Sequence, residues 1–295
     1  MKFTGERFLP DVRGDIELEH IHRYLLAHDV IQGKDVLDIA SGEGYGSAML
    51  AGVARSVIGV DISPEAVSHA NAKYQTSNVE FRLGSCSAIP LDDASVDVVV
   101  SFETIEHHDE HESMMQEIKR VLRPGGTLVI SSPEKLEYSD KPGFKNPHHV
   151  KELYREEFKR LLDSYFTNHS MYGQRVLYGS VIACEDRESL IRSYELVDDP
   201  LTAKFGISHP IYLIAVASDS ELPDLASGVF EQSIHEAELV QRLSASVSYL
   251  NNQIVGLNQV VTEQDAKIAA VYNSFSWRVT KPLRNFKRFL SGGRN

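Results

Sequence analysis

The chain has 295 residues, 42% hydrophobic and 24% charged, enough to bury one full α/β core and leave residues for a second element. Its two cysteines, Cys86 and Cys184, exclude a disulfide scaffold, and Glu6 and Arg7 in MKFTGERFLP stand where a signal peptide needs an apolar run, so a reducing cytoplasm is the expected home. No apolar stretch approaches the roughly 20 residues that cross a bilayer. Charge is divided: residues 1–265 hold 23 basic and 42 acidic residues, a net −19, whereas the last thirty hold seven basic residues and no acidic one. The acidic body argues against a nucleic-acid partner, and the basic end points to a separate task.

Strand-like runs rich in β-branched residues recur at DVLDIA (35–40), SVIGVDI (56–62), VEFRLGS (79–85), VDVVVSF (96–102) and GTLVISS (126–132), most of them separated by segments that can hold a helix. This is a βαβ series, and near-continuous apolar strands belong to a parallel sheet covered on both faces. Weaker strand patterns near 170–178 and at PIYLIAVA (210–217) suit a sheet edge. The expected fold is a doubly wound, Rossmann-like, mostly parallel seven-stranded α/β sheet, occupying residues 31–218 and preceded by a helical segment over 1–30.

From about 219 the texture changes. SDSELPDLASG reads as a linker, placed at 219–232. Beyond it Val240, Leu243, Val247, Leu250, Ile254, Leu257, Val261, Gln264, Ile268 and Val271 follow a heptad without a slip. Each a position is β-branched and three of five d positions are Leu, which favours a parallel two-stranded coiled coil over 233–274 and hence a homodimer. Residues 275–295 interleave Trp277, Val279, Leu283, Phe286, Phe289 and Leu290 with six basic residues. That is a basic amphipathic pattern suited to an anionic membrane surface.

The stretch LDIASGEGYG (37–46) puts three glycines, Gly42, Gly44 and Gly46, in a turn after the first strand, and Asp61 stands nineteen residues after Gly42 at the end of the second. Dinucleotide folds and S-adenosylmethionine folds share that pattern, with the acid on the ribose hydroxyls. Asp38 discriminates between them. A carboxylate beside the loop repels a pyrophosphate and helps to attract an ammonium or sulfonium.

VLDIASGEGYGS, VIGVDIS, IPLDDASVDVVVSFETIEHHDE and VLRPGGTLVISSP, in this order, resemble the class I S-adenosylmethionine-dependent methyltransferases over about residues 30–135. The resemblance implies S-adenosylmethionine as cofactor, with Asp38, Ala40, Gly42 and Gly44 around its methionine part. It further implies Asp61 on the ribose, Ile62 against the adenine, Ser85 and Cys86 at the adenine amino group, and Glu103 at the end of the fourth strand. Ala40 stands where the family often has Gly, and Gly84–Ser85–Cys86 where it often has an Asp.

A hydroxyl acceptor must lose its proton, and histidine titrates near neutral pH. His107 and His108 follow the fourth strand at the carboxyl edge, where open α/β sheets bind ligands; His148 and His149 lie in KNPHHVKEL after the fifth. His149 is the first expected general base, His107 the second, with His148 beside them. The run EHHDEHE mixes carboxylate and imidazole but lacks a recognisable metal spacing, so no metal is assigned.

FTGERFLPD with LEHIHRYLLA, followed by NPHHVKEL, is similar to methyltransferases of bacterial surface-polysaccharide assembly, of the O-antigen type. That likeness implies a sugar or glycan acceptor and an N-terminal lid carrying Glu6, Arg7, His20 and Tyr24. Arg7 or Arg23 would suit an anionic group on the acceptor. The expected whole is a dimeric, cytoplasmic methyltransferase acting on a sugar at the inner face of a membrane. A small-molecule methyltransferase and a cofactor-sensing scaffold are the alternatives.

Overall fold

The computed structural model, which describes residues 14–178, 191–195 and 202–291, turns each expected strand into a strand. They are β1 (Asp35–Ile39), β2 (Ser56–Asp61), β3 (Val79–Leu83), β4 (Val96–Ser101), β5 (Leu122–Pro133), β6 (Asn168–Gln174) and, after a two-stranded hairpin of β7 (Arg192–Glu195) and β8 (Thr202–Phe205), β9 (Tyr212–Ser218). The seven-stranded sheet runs β3-β2-β1-β4-β5-β9-β6, parallel except that β9 is antiparallel to both of its neighbours. Two details depart from expectation. β5 begins at Leu122, four residues before the expected start, because Leu122 pairs with Val96 across a register shift that absorbs the Pro-Gly-Gly segment. The β7–β8 hairpin has too few apolar residues to show in the sequence.

The pleat sorts the core into two layers. Leu37, Ile39, Val99, Leu128, Ile130, Leu213 and Ala215 face one side, packing with α4 (His111–Val121) and α5 (Arg155–Tyr165) through Met114, Ile118, Phe158 and Leu162. Val36, Val98, Val100, Val129, Ile214 and Val216 face the other, packing with α1 (Asp15–Ile31) and α2 (Tyr45–Ala51) through Tyr24, Ala27, Ile31 and Leu50. Alternation of this kind follows from the period of two along a strand. α3 (Pro64–Lys73) joins β2 to β3, and its N-cap Ser63 accepts from the Ala66 N–H.

The order reverses between β1, whose continuation lies outward at β2, and β4 on its other side. A crevice outside the carboxyl ends of these strands is where such sheets take ligands. Asp38 pairs in register with Gly59 on one side and Val100 on the other, so it sits at the crevice mouth.

Residues 219–232 carry no helix or strand, yet Leu225 is buried and Leu222 packs beside it in the α1-side layer, so this segment lies against the sheet unit. The second compact unit, Ser233–Asn295, holds α6 (Glu238–Asn273), α7 (Phe275–Val279) and α8 (Lys281–Ser291). α6 is an uninterrupted helix of 36 residues, about 54 Å at the helical rise. Its heptad side chains Leu243, Val247, Leu250, Ile254, Leu257, Val261, Ile268 and Val271 are all exposed in the single chain. No helix among the described residues is long and apolar enough to cross a membrane.

Candidate active site

After β1 the chain turns through Ala40, Gly42 and Gly44 with φ of +60°, +57° and +95°. Left-handed backbone is easy for glycine and strained for alanine. Gly44 also has no room for a side chain: a Cβ there would lie 2.8 Å from the Ala70 Cβ and 2.9 Å from the Phe81 ring. Asp38 is buried beside this turn, where Ser47 Oγ donates to it at 2.6 Å and the Tyr24 hydroxyl lies 3.4 Å from both carboxylate oxygens. Burial outweighs both hydroxyls and pushes its pKa up to about 7. Asp61 closes the loop from β2, accepting from the Gly42 N–H at 2.9 Å and the Ser63 N–H at 2.8 Å. Ile62 follows it with 71% of its surface exposed. Glu43 anchors the turn to α3 through Lys73, Tyr74 and His69.

Ser85 lies after β3, its Oγ 3.0 Å from Ser87 Oγ and accepting from the Ser87 N–H. Cys86 is a free thiol, 3.4 Å from His108 Nε2, which links the end of β3 to the end of β4. At that end Glu103 takes a positive φ of +50°, and Ser131 Oγ donates to its carboxylate at 2.6 Å. Arg23 comes down from α1 onto this edge. Its Nε–H donates to Gln174 at 2.7 Å, its guanidinium lies 4.5 Å over the Tyr212 ring, and Nη1 stands 3.5 Å from Glu103. Burial opposes the Arg23 charge, and Glu103, Tyr212 and Glu19 more than offset that. Glu19, one helical turn earlier, is pushed by burial to a pKa of about 7 despite Arg23.

The histidines converge just beyond. The Glu106 carbonyl accepts from the Val150 and Lys151 N–H groups at 2.8 and 3.0 Å, which pins the 146–152 loop to the β4 edge. His107 and His149 meet edge-on with ring centroids 5.2 Å apart. His107 Nδ1–H donates to the His148 carbonyl at 3.0 Å, so His148 enters the cluster through its backbone. His149 Nδ1–H donates to Glu152 at 2.6 Å, its Nε2 accepts from Asn146 at 3.0 Å, and its ring stacks on Tyr138. The Glu106 carboxylate is buried with no hydrogen-bond partner for either oxygen, and burial drives its pKa well above the ordinary carboxylate range, Glu103 adding to the effect.

Residues 37–130 match the family model described as "Methyltransferase domain". The chain is 40% identical over 170 residues to a Mycolicibacterium smegmatis protein named a probable S-adenosylmethionine-dependent methyltransferase, covering 56% of this chain and 64% of that one. It is 39% identical over 181 residues to a Mycobacterium tuberculosis protein of the same description, covering 59% and 64%. Residues 37–130 thus carry a methyltransferase domain. A Thermotoga maritima S-adenosylmethionine-dependent methyltransferase shares its fold, with a TM-score of 0.50 at 15% identity over 69% of this chain and 91% of that one. The chain spans just under two thirds of the length of the two mycobacterial relatives.

The methyltransferase domain takes S-adenosylmethionine as its cofactor, and the donor set fits that molecule. Asp38 and Asp61 are buried carboxylates flanking the turn, and no basic residue occurs between positions 38 and 54, which suits a cationic, phosphate-free ligand. Asp38, Ala40, Gly42, Gly44 and Asp61 come together, with Tyr24 over them from α1. Ser85 and Cys86 stand at the next strand end, and Glu103 faces Arg23 rather than the glycine turn. Of the lid residues, His20 is 2.9 Å from the Tyr45 hydroxyl, whereas Glu6 and Arg7 lie outside the described residues, as does Cys184. Glu152, Tyr138, Asn146 and Gln174 were not anticipated. Only Glu152 had a sequence signal, an acid three residues after His149.

Proposed function

We propose that the whole chain is an S-adenosylmethionine-dependent methyltransferase that O-methylates a sugar of a membrane-linked bacterial glycan. The carrying observation is the imidazole pair His107–His149 at the carboxyl edge of β4, next to the cofactor turn: Phe102 at that edge packs on Tyr24 at 5.0 Å between ring centroids, and the Tyr24 hydroxyl faces Asp38. The cofactor supplies a methyl group already activated by its sulfonium. Asp38, Asp61 and the 40–44 turn would hold that molecule, which would supply its methyl to an acceptor oxygen in exchange for the carbon–sulfur bond, while the histidine pair would take the hydroxyl proton. Glu152 and the His148 carbonyl orient the two rings for that work.

The glycan acceptor is supported by the likeness of FTGERFLPD, LEHIHRYLLA and NPHHVKEL to surface-polysaccharide methyltransferases. The α6 heptads support a homodimer through a coiled coil, and the basic α8 supports contact with the anionic inner face of a membrane. The test is transfer of labelled methyl from S-adenosylmethionine into the lipid-linked glycan fraction of a strain lacking the protein. Label in the glycan upholds the reading. Label only in small aqueous or quinone-like metabolites replaces the glycan with a small-molecule acceptor, and cofactor binding without any transfer leaves a scaffold.

A further inference from the structure

We propose that Glu106, His107 and His149 form a site for one divalent transition-metal cation. One potential ligand atom from each residue lies within 4.8 Å of the other two, close enough for a single ion to draw all three together. Two imidazoles and a carboxylate are a donor set for first-row divalent ions such as Mn²⁺, Fe²⁺, Co²⁺ and Zn²⁺. The run EHHDEHE hides this, because its third ligand comes from a loop 42 residues after His107.

Three features point to a ligand. The Glu106 side chain is 1% exposed, and neither carboxylate oxygen has a hydrogen-bond partner. A buried carboxylate without a partner is costly, and a cation removes that cost. His107 donates its Nδ1–H to the His148 carbonyl, and its Nε2 lies 3.9 Å from Oε1 of Glu106. His149 is held in the same way by Glu152. Ligating histidines are oriented by such carbonyl and carboxylate partners on the far nitrogen. With Glu152 kept on Nδ1, binding exchanges the contact of His149 Nε2 with Asn146 for a bond to the metal.

The surrounding charge agrees. Glu103 and Glu152 act on Glu106 with the same sign, and Arg23 is the cation set against them. The cluster has room for a further positive charge. Three protein ligands leave open positions, and a hydroxyl bound there would ionise more readily near neutral pH; with the metal in place the two imidazoles would serve as ligands, and the proton would pass to water rather than to the rings. This catalytic role rests on the proposed O-methyl transfer; the site itself does not.

The test uses the full chain, stripped with a chelator and titrated with Co²⁺ alone. One equivalent of Co²⁺ with visible absorption bands is expected. Glu106→Gln should weaken binding at least tenfold while S-adenosylmethionine affinity stays within twofold. If that variant does not fold, shown by lost cofactor binding, His107→Gln at the partly exposed ring carries the same test. No Co²⁺ bound by the chain, or equal binding by a folded variant, overturns the site and leaves Glu106 as a buried protonated acid. Co²⁺ binding together with failure of methyl transfer to glycan keeps the site and removes only the acceptor reading.

Discussion

The Tyr24 ring fills the space beside Gly46 that any side chain would need: a Cβ at position 46 would lie 2.0 Å from Tyr24 Cζ. The same tyrosine turns its hydroxyl to Asp38 and packs edge-on against Tyr45 and Phe102. Helix α1 is thereby locked to the cofactor turn. Gly46→Ala should destabilise the domain by about 1–3 kcal/mol through overpacking and weaken S-adenosylmethionine binding. Urea unfolding and calorimetric titration check both, and if the clash is the cause Gly46→Ala should cost less in a Tyr24→Ala background than in the native chain.

Asp38 predicts a pH dependence. Its folded pKa of about 7 lies above the ordinary carboxylate value, because burial penalises the charge. Below pH ~4 the group is protonated in both folded and unfolded chains; as pH rises toward 7 the unfolded chain ionises first, and the fold loses a few kcal/mol on this account, roughly. A bound ammonium reverses the balance. Cofactor affinity should therefore rise between pH 6 and pH 8 with proton release, and Asp38→Asn should lower affinity at least tenfold, abolish that slope and raise thermal stability at pH 8. Titration calorimetry in two buffers of different ionisation heat reads all but the last, and a melting curve reads that.

Arg23 is the fully buried cation beside Glu19 and Glu103, and removing one partner of a buried charge cluster costs about 3–5 kcal/mol. Arg23→Met should lose stability on that scale. The loss should be larger at pH 8 than at pH 5, because Glu19, already pushed up to about 7 by burial, is carried higher still without Arg23 and its ionisation then costs more. Thermal melts at the two pH values decide it.

The exposed apolar positions of α6 predict self-association. Full-length protein should run as a dimer in light scattering, and Ile254→Lys, at a heptad a position, should give monomers. Deleting residues 233–295 should do the same without changing cofactor affinity, since the site belongs to the sheet unit.

Trp277 is the single tryptophan, and the Arg284 guanidinium stacks 3.8 Å from its ring centroid. If α8 rests on anionic lipid, Trp277 fluorescence should shift to the blue with vesicles holding phosphatidylglycerol and not with neutral ones. Half a molar salt should reverse it.

The sheet and the glycine turn after β1 were legible in the sequence because they depend on local order. Strands buried on both faces read as continuous apolar runs, and a strand, a glycine turn and an acid at the next strand end are fixed by their spacing along the chain. Asp38, Gly42, Gly44 and Asp61 therefore meet where the pattern put them. The strand at 122–125 and the β7–β8 hairpin did not show, one because Pro-Gly-Gly reads as a turn and the other because its strands are short and polar.

The acceptor edge was decided by tertiary structure. His107 and His149 were visible as histidines, but their meeting depends on two backbone hydrogen bonds from Val150 and Lys151 to the Glu106 carbonyl, which no residue type announces. The partners of Arg23 come from just past the end of β4, from β6 and from β9, up to 189 residues away. Periodicity determined which segments form the sheet, and the glycine spacing determined which turn follows β1, since both follow from neighbours in the chain. Which buried charges face one another was settled only when distant segments closed over the carboxyl end of the sheet, because the energy of a buried charge depends on what surrounds it in space.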